Sequence, residues 1–250
     1  MTFVEGLPMP EKRTLLTWNT QGDFTTLAKS SVIDTLADDR SAICFLQEGG
    51  VEKAGSVGRW LAFGGEGVGS KNERCTNYVL VDALRSKFSP PEHVELVDKD
   101  DNLLIGGGQA GRTPAAVAVA GILFISWHSV STKANDDTSN LVAALERNYA
   151  HRYPKVIIGG DFNTSPDEIV KLVARGTART RESWKYKSRR VFRCGNYTHA
   201  GDEYRELDFF LALSTSEDET FQFALSDLRA TEVHRVAPSD HDPVRVDLWL

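Results

Sequence analysis

Apolar runs that stop abruptly on an ionisable or amide side chain recur along this sequence. TLLTWN ends on Asn19, CFLQE on Glu48, LFISWH on His128, and VIIGGDFN on Asp161 and Asn163. ELDFF sets Asp208 at the head of such a run, and SDHDPV sets Asp240 and His241 just before another. Continuous apolar runs of this kind read as strands covered on both faces. A buried strand gains nothing from a carboxylate or imidazole at its tip. A rigid strand that presents one nevertheless holds it in place, as a reaction centre requires.

Around those runs the pattern alternates. Strands are expected at residues 14–19, 43–47, 77–81, 94–97, 115–119, 122–127, 156–160, 207–213 and 244–250. The break at Gly121 predicts a hairpin or a bend. Helices are expected at 25–37 and 138–149, with a third starting at Ser165-Pro166-Asp167-Glu168. That start has a serine cap, a proline at the first helical position, an acid in the first turn and Glu168 three residues after the cap. The stretches 49–111 and 176–206, rich in glycine and charge, are expected to hold the least regular structure. Strands alternating with helices make the fold α/β, with its sheets covered on both faces. No repeat, low-complexity tract or long linker divides the chain, so one domain is expected over residues 1–250.

With 41 % apolar and 26 % charged residues, the composition is that of a soluble globular protein. Cys44, Cys75 and Cys194 are too few and too oddly numbered for a disulfide scaffold and lack paired zinc-ligand spacing. Cys44 reads as a buried hydrophobe, and the pairing of Cys75 and Cys194 stays open. The apolar stretch 115–127 is shorter than the roughly 20 residues of a membrane helix. The opening MTFVEGLPMPEKR lacks the basic end and apolar core of a signal peptide. The chain as written is therefore expected not to be exported by a cleaved signal. That leaves a cytoplasmic protein of the producing cell or a domain delivered elsewhere. A net charge of −6 argues against general polyanion binding. Residues 175–205 differ, with nine Lys/Arg against three Asp/Glu, interleaved with Trp184, Tyr186, Phe192, Tyr197 and Tyr204. Cations for phosphates beside aromatics for stacking make a nucleic-acid-binding pattern. The same segment also reads as a solvated basic loop with core aromatics, or as a patch for an anionic membrane surface.

The polar strand tips form a chemical set. Glu48, Asp161, Asp208 and Asp240 are hard oxygen donors suited to Mg²⁺, Mn²⁺ or Ca²⁺. His128 and His241 can move protons near neutral pH. Asn19 and Asn163 can hold phosphate oxygens or orient a carboxylate. With no serine or cysteine nucleophile motif, the set points to metal-assisted hydrolysis by water. Taken singly, each residue has a plainer reading. Asp161-Phe162-Asn163 could be an Asx-turn, Asp240 a loop cap, His128 a core histidine and Glu48 a solvated strand end. Asp208 resists this, because a carboxylate between Leu207 and Phe209 on a buried strand needs a partner. His93, His151, His199 and His234 lie in charged or loop-like stretches and read as solvated.

At these residues the chain resembles the endonuclease/exonuclease/phosphatase family, the fold of deoxyribonuclease I. The resemblance runs from TWNTQG at 17–22 to SDHDPV at 239–244, with the family's blocks in order: W-N-x-x-G, Q-E, an Arg, a His, G-D-F-N, L-D and S-D-H. Within the family it is most similar to the B subunit of the cytolethal distending toxins. The carriers are Asn19-Thr20-Gln21-Gly22, Gly111-Arg112-Thr113-Pro114 ahead of ISWH, Asp161-Phe162-Asn163 followed by Ser165-Pro166, and Glu206-Leu207-Asp208. Trp127 and Ser129, which flank His128, depart from that pattern.

The resemblance implies a four-layer α/β sandwich, two packed mixed β-sheets flanked by helices. It implies Glu48 as principal Mg²⁺ ligand, helped by Asp240 and Asn19, with Mn²⁺ or Ca²⁺ as substitutes. Asp161 would orient or deprotonate the attacking water, and Asn163 would hold the scissile phosphate. His241, paired with Asp208, and His128 would stabilise the oxyanion or protonate the leaving oxygen, and Arg112 would clamp a phosphate. Glu66 or Glu73 would supply a carboxylate for His128. The implied activity is nicking of DNA by a genotoxic effector, monomeric by itself, with a delivery subunit or an immunity protein as possible partners. A phosphoinositide phosphatase using the same residues is the alternative, and a binding module that keeps the fold without catalysis is a third reading.

Overall fold

The computed structural model describes residues 12–38, 41–50, 55–65, 76–86, 90–98, 100–104, 112–174, 184–200, 205–217, 222–225 and 239–249. In chain order its strands are β1 (Lys12–Asn19), β2 (Ile43–Gln47), β3 (Gly55–Val57), β4 (Trp60–Gly64), β5 (Tyr78–Asp82), β6 (Glu92–His93), β7 (Ala115–Val119), β8 (Ile122–His128), β9 (Lys155–Asp161), β10 (Ser188–Phe192), β11 (Asp208–Ser214), β12 (Gln222–Leu225) and β13 (Val244–Trp249). The helices are α1 (Leu27–Leu36), α2 (Ala83–Ser86), α3 (Ala134–Ala144), which runs on into a π-turn at Leu145–Tyr149, and α4 (Pro166–Ala174).

The strands form two mixed sheets. The first has the order β12-β13-β1-β2-β5-β4-β3 and the second β10-β11-β9-β8-β7-β6. Each contains one parallel pair, β1 with β2 and β8 with β9, among antiparallel neighbours. Period-two alternation sorts the side chains into three apolar layers. Leu15, Ile43, Phe45, Phe124, Ile157 and Phe210 meet between the sheets. Leu16, Trp18, Cys44 and Leu46 face outward under Val32, Ile33 and Leu36 of α1. Leu123, Ile125, Ile158 and Leu211 face outward on the second sheet, under Leu141 of α3 and Ile169 of α4. Helix, sheet, sheet and helices make the four-layer α/β sandwich of the deoxyribonuclease I-like folds.

Local signals act as expected at several points. Ala120 (φ 51°) and Gly121 (φ 79°) form a two-residue turn between β7 and β8, the positive-φ hairpin geometry that matches strand twist. Ser165 caps α4, its Oγ accepting the Glu168 N–H at 3.3 Å. In β9, a Cβ on Gly160 would lie 1.9 Å from the Trp127 carbonyl oxygen, and one on Gly159 would press on the rings of Phe45 and Phe210. The Gly-Gly pair thus lets β9 lie close to β8 and lets the sheets close together just before Asp161.

The structure differs from expectation elsewhere. Residues 94–97 are not a strand. Val94 and Leu96 are buried beside β6, and Val97 makes one isolated bridge to Leu103. The second long helix starts at Ala134, not 138, because Asp136 and Asp137 favour a helical first turn. The stretches expected to be irregular contain β3, β4 and β10. SRRVF of β10 carries charge because it is an edge strand, and charge on an edge discourages further strand pairing. Cys44 is free and fully buried, Cys194 is free and half-buried, and Cys75 lies outside the described residues. Among the described residues no helix is long and apolar enough to cross a membrane.

Candidate active site

The layer between the sheets changes character along its length. In its middle it is wholly apolar. Two residues further along each strand the same inward positions carry Thr17, Gln47, Ser126 and Gly159. Gln47 Nε2 spans the gap, donating to Ser126 Oγ at 3.0 Å and Thr17 Oγ1 at 3.4 Å. Two residues further still, the inward positions are Asn19, His128 and Asp161, with Asp208 at the matching place on β11. Register aligns them: His128 lies opposite Asp161, and Asp161 opposite Asp208. One rung of the second sheet therefore presents imidazole, carboxylate and carboxylate side by side, and all three are buried.

The first sheet supplies the rest. Asn19 Nδ2 donates to Asp161 Oδ2 at 3.0 Å and lies 3.5 Å from Glu48 Oε1. Its Oδ1 accepts the Gln21 N–H at 3.2 Å. In this arrangement Asn19 orients two carboxylates, and its oxygen, which accepts the Gln21 N–H, keeps a second lone pair. Glu48 stands at φ 50°, a conformation its Cβ disfavours, and Asn163 stands at φ 49°. Gln21 (φ 46°) sits in the adjoining turn. Such backbone costs free energy and persists where the surroundings impose it, typically at working sites. The loop before β13 is tied to β1: Ser239 Oγ donates to the Asn19 carbonyl at 2.7 Å, and Trp18 Nε1 to the His241 carbonyl at 2.9 Å.

Four carboxylates and two histidines converge here. His128 Nε2 is 3.5 Å from Asp161 Oδ2 and 3.8 Å from Glu48 Oε1. His241 Nδ1 is 2.8 Å from Asp208 Oδ2, the partner that the buried Asp208 required, and His241 Nε2 is 3.8 Å from both Asp161 Oδ2 and Asp240 Oδ1. The two imidazoles are driven apart. Burial pulls His128 down to about 4 against the pull of Asp161, so it is neutral at pH 7. Burial also works against charge on His241, but Asp208, Asp161 and Asp240 together outweigh it and push this imidazole up to about 10. Glu48 is raised, first by burial and then by Asp161, against the lowering hydrogen bond from Asn19. Arg112 Nη1 and Asn163 Nδ2 both donate to the Ser129 carbonyl, which sets these two phosphate-binding candidates next to one another beside His128.

A divalent cation fits these donors. Among the described residues Glu48, Asp161, Asp208 and Asp240 face Arg112, the His241 imidazolium and, at Glu48, Lys29, so negative charge is in excess. Oδ1 of Asp208 and Oδ1 of Asp240 are enclosed without a hydrogen bond among the described residues. Hard oxygens with surplus charge are what Mg²⁺-class ions take. His128 Nδ1 likewise has no partner among the described residues; Glu66 and Glu73, expected to supply one, lie outside them.

His199 was expected to be solvated, but it belongs to this neighbourhood. It pairs with His241 through an isolated bridge, and the two rings meet edge to face at 4.7 Å. No local signal in NYTHAG marks it. Of the other histidines, His93 and His151 are exposed as expected, and His234 lies outside the described residues. The aromatics of the basic segment divide. Tyr186 is in the core, with its hydroxyl donating to the Tyr153 carbonyl at 3.0 Å, and Trp184 lies under Arg189 at 3.5 Å. Tyr197 is 65 % exposed two residues before His199. Tyr204 and residues 175–183 lie outside the described residues.

Comparison with known proteins gives a consistent result. A model described as "Endonuclease/Exonuclease/phosphatase family" matches residues 16–241. No curated protein matches the chain. Among solved structures, the Haemophilus ducreyi cytolethal distending toxin is 15 % identical over 93 % of this chain and 96 % of that one, with a TM-score of 0.60. CdtB, described as the biologically active subunit of cytolethal distending toxin, is 20 % identical over 93 % and 96 %, with a TM-score of 0.58. The Leishmania major AP endonuclease LMAP is 13 % identical over 96 % and 88 %, with a TM-score of 0.62. At these identities the shared feature is the fold.

Proposed function

The chain belongs to the endonuclease/exonuclease/phosphatase family, and on that premise we propose that it is a Mg²⁺-dependent phosphodiesterase that nicks DNA. The observation that carries this reading is the aligned rung of His128, Asp161 and Asp208, closed by Asn19 and Glu48 from the facing sheet. Glu48 and Asp240 would hold the cation, which when bound polarises a phosphoryl oxygen. Asp161 orients and deprotonates the attacking water. His241, kept protonated by Asp208, donates from Nε2 into the charge that develops on the phosphoryl oxygens. His128, neutral through burial, presents Nε2 toward the Asp161 and Glu48 carboxylates and serves as a hydrogen-bond donor to the developing oxyanion, while the proton taken by the leaving oxygen comes from the His241 imidazolium. Arg112 and Asn163 grip the phosphate from the Ser129 side.

Duplex DNA is the substrate we favour, because exposed Lys185, Lys187, Arg190, Arg193 and Tyr197 lead along β10 and its continuation toward His199 and the site. In this reading the chain is an effector of the cytolethal distending toxin B type, with a delivery subunit or an immunity protein as possible partner, and it acts in a cell other than its producer. The test is supercoiled plasmid incubated with the protein in Mg²⁺, in EDTA, and with Asp161→Ala or His128→Ala in Mg²⁺. Nicked circles are expected only with the unaltered protein and Mg²⁺. Intact plasmid together with phosphate released from a phosphoinositide would transfer the same residues to a phosphatase. Failure with both substrates would overturn the enzymatic reading.

A further inference from the structure

His199, Asp240 and His241 bring one ligand atom each to within 4.8 Å of one another. The backbone sets this up. The Ala200 N–H donates to the Asp240 carbonyl at 2.9 Å, and the Asp242 N–H to the Thr198 carbonyl at 2.7 Å, so His199 lies directly opposite His241. Residues opposite one another on antiparallel strands stand side by side. Asp240 lies between the two rings, with Oδ2 3.7 Å from His199 Nε2 and Oδ1 3.8 Å from His241 Nε2. Neither contact is a hydrogen bond, and among the described residues Asp240 Oδ1 and His199 Nδ1 have no hydrogen-bond partner.

The chemistry of this trio differs from that of the Glu48 side. Two imidazole nitrogens and one carboxylate oxygen are a poor donor set for Mg²⁺, which takes oxygen, and a good one for Zn²⁺ and similar borderline ions. In a tetrahedral site with bonds of about 2.0–2.1 Å, ligand atoms stand roughly 3.3–3.4 Å apart, so side chains whose ligand atoms lie within 4.8 Å of one another must draw together by up to about 1.5 Å, a shift within reach of side-chain rotation. Asp208 already holds His241 Nδ1 at 2.8 Å. A carboxylate on the far nitrogen of a ligating histidine is the arrangement that orients imidazole toward zinc.

We propose that His199, Asp240 and His241 form an inhibitory site for a borderline divalent cation such as Zn²⁺. Occupancy replaces the proton on His241 Nε2 with the metal and engages Asp240, so the site loses a phosphate donor and a Mg²⁺ ligand together. The inhibition rests on the phosphodiesterase reading; the binding does not. Two measurements separate them. Equilibrium dialysis against Zn²⁺ is expected to leave about one ion more on the unaltered protein than on His199→Ala, with His199→Cys regaining it because a thiolate ligates zinc. Zn²⁺ titrated into plasmid nicking at fixed Mg²⁺ is expected to halve the rate at a concentration roughly tenfold or more below that needed for His199→Ala, whose nicking in Mg²⁺ alone stays close to that of the unaltered protein. Equal zinc retention by the two proteins would overturn the site, and equal sensitivity with unequal retention would overturn its inhibitory role. If the unaltered protein nicks no plasmid, the functional reading fails while dialysis still decides the site.

Discussion

Two charge clusters in this molecule, each at least partly buried, are built on opposite principles. On the outer face of the second sheet, the Glu146 carboxylate accepts the Lys185 N–H at 2.7 Å, the Tyr186 N–H at 3.1 Å and Arg189 Nη2 at 2.5 Å. Arg189 in turn lies over the Trp184 ring. Charge and hydrogen-bond capacity are matched, and the cluster fastens residues 184–189 to the π-turn after α3. At the end of the inter-sheet layer, carboxylates outnumber cations among the described residues, and Asp208 Oδ1, Asp240 Oδ1 and His128 Nδ1 find no hydrogen-bond partner among them. A matched cluster stabilises the fold. An unmatched one costs stability and has to be justified by what binds or reacts there.

Substitutions should separate the two. The largest expected effect is on activity: Asp161→Ala lowers the nicking rate by roughly 10³-fold, while its melting temperature stays near that of the unaltered protein, because one of several crowded carboxylates is gone. Loss of folding together with activity would show that the site cluster also fastens the structure.

Next comes Glu146→Ala, which strands a half-buried guanidinium and two backbone N–H groups. It should cost about 1–3 kcal/mol of stability by denaturant titration, with activity per folded molecule unchanged. A fall in nicking at full folding would place this cluster in the function instead.

The third test uses pH, in EDTA. His241 is raised from the usual imidazole value to about 10, so its stabilising contribution is complete below about pH 6.5 and is lost as pH rises toward 10. His128 is lowered to about 4, which has the opposite sign: stability is lost as pH falls from about 6.5 toward 4. The alkaline loss should be on the order of 2 kcal/mol and should shrink in Asp208→Asn, which removes the main source of the raised value. An alkaline limb of the same size in that variant would refute the pairing as its cause.

The smallest effect belongs to an exposed pair, Arg193 with Asp167 at 2.9 Å. Arg193→Ala should change stability by less than about 0.5 kcal/mol. If the basic edge contacts phosphates, it should also reduce the salt slope of plasmid binding by about one. An unchanged slope would leave the edge out of the DNA path.

Much of the frame was legible residue by residue. The Ser165 cap, the turn at Ala120-Gly121 and the apolar runs of β1, β2, β8, β9 and β11 act through neighbours in sequence. The polar tips were legible because they break those runs. Other features carried no such signal. β10 hides behind charge because its edge faces solvent, and β12 and the β3–β4 hairpin lie beyond stretches dominated by glycine and polar residues. The Gln47–Ser126 link across the sheets joins residues 79 apart, and neither residue stands out in its own segment.

The sequence by itself determined that strands would be covered on both faces and which of them would end in acid, amide or imidazole, because alternation and composition are local properties. Only the tertiary structure decided how those ends are paired. Register sets Asp161 between His128 and Asp208, two sheets bring Asn19 to Asp161 from 142 residues away, and an antiparallel bridge turns His199 from a solvated loop residue into a neighbour of His241. The reason is physical: charge states and ligand sets depend on distances of a few ångströms between side chains that the chain order keeps far apart. Asp208 raises His241 while burial lowers His128, and neither effect exists until the sheets have closed.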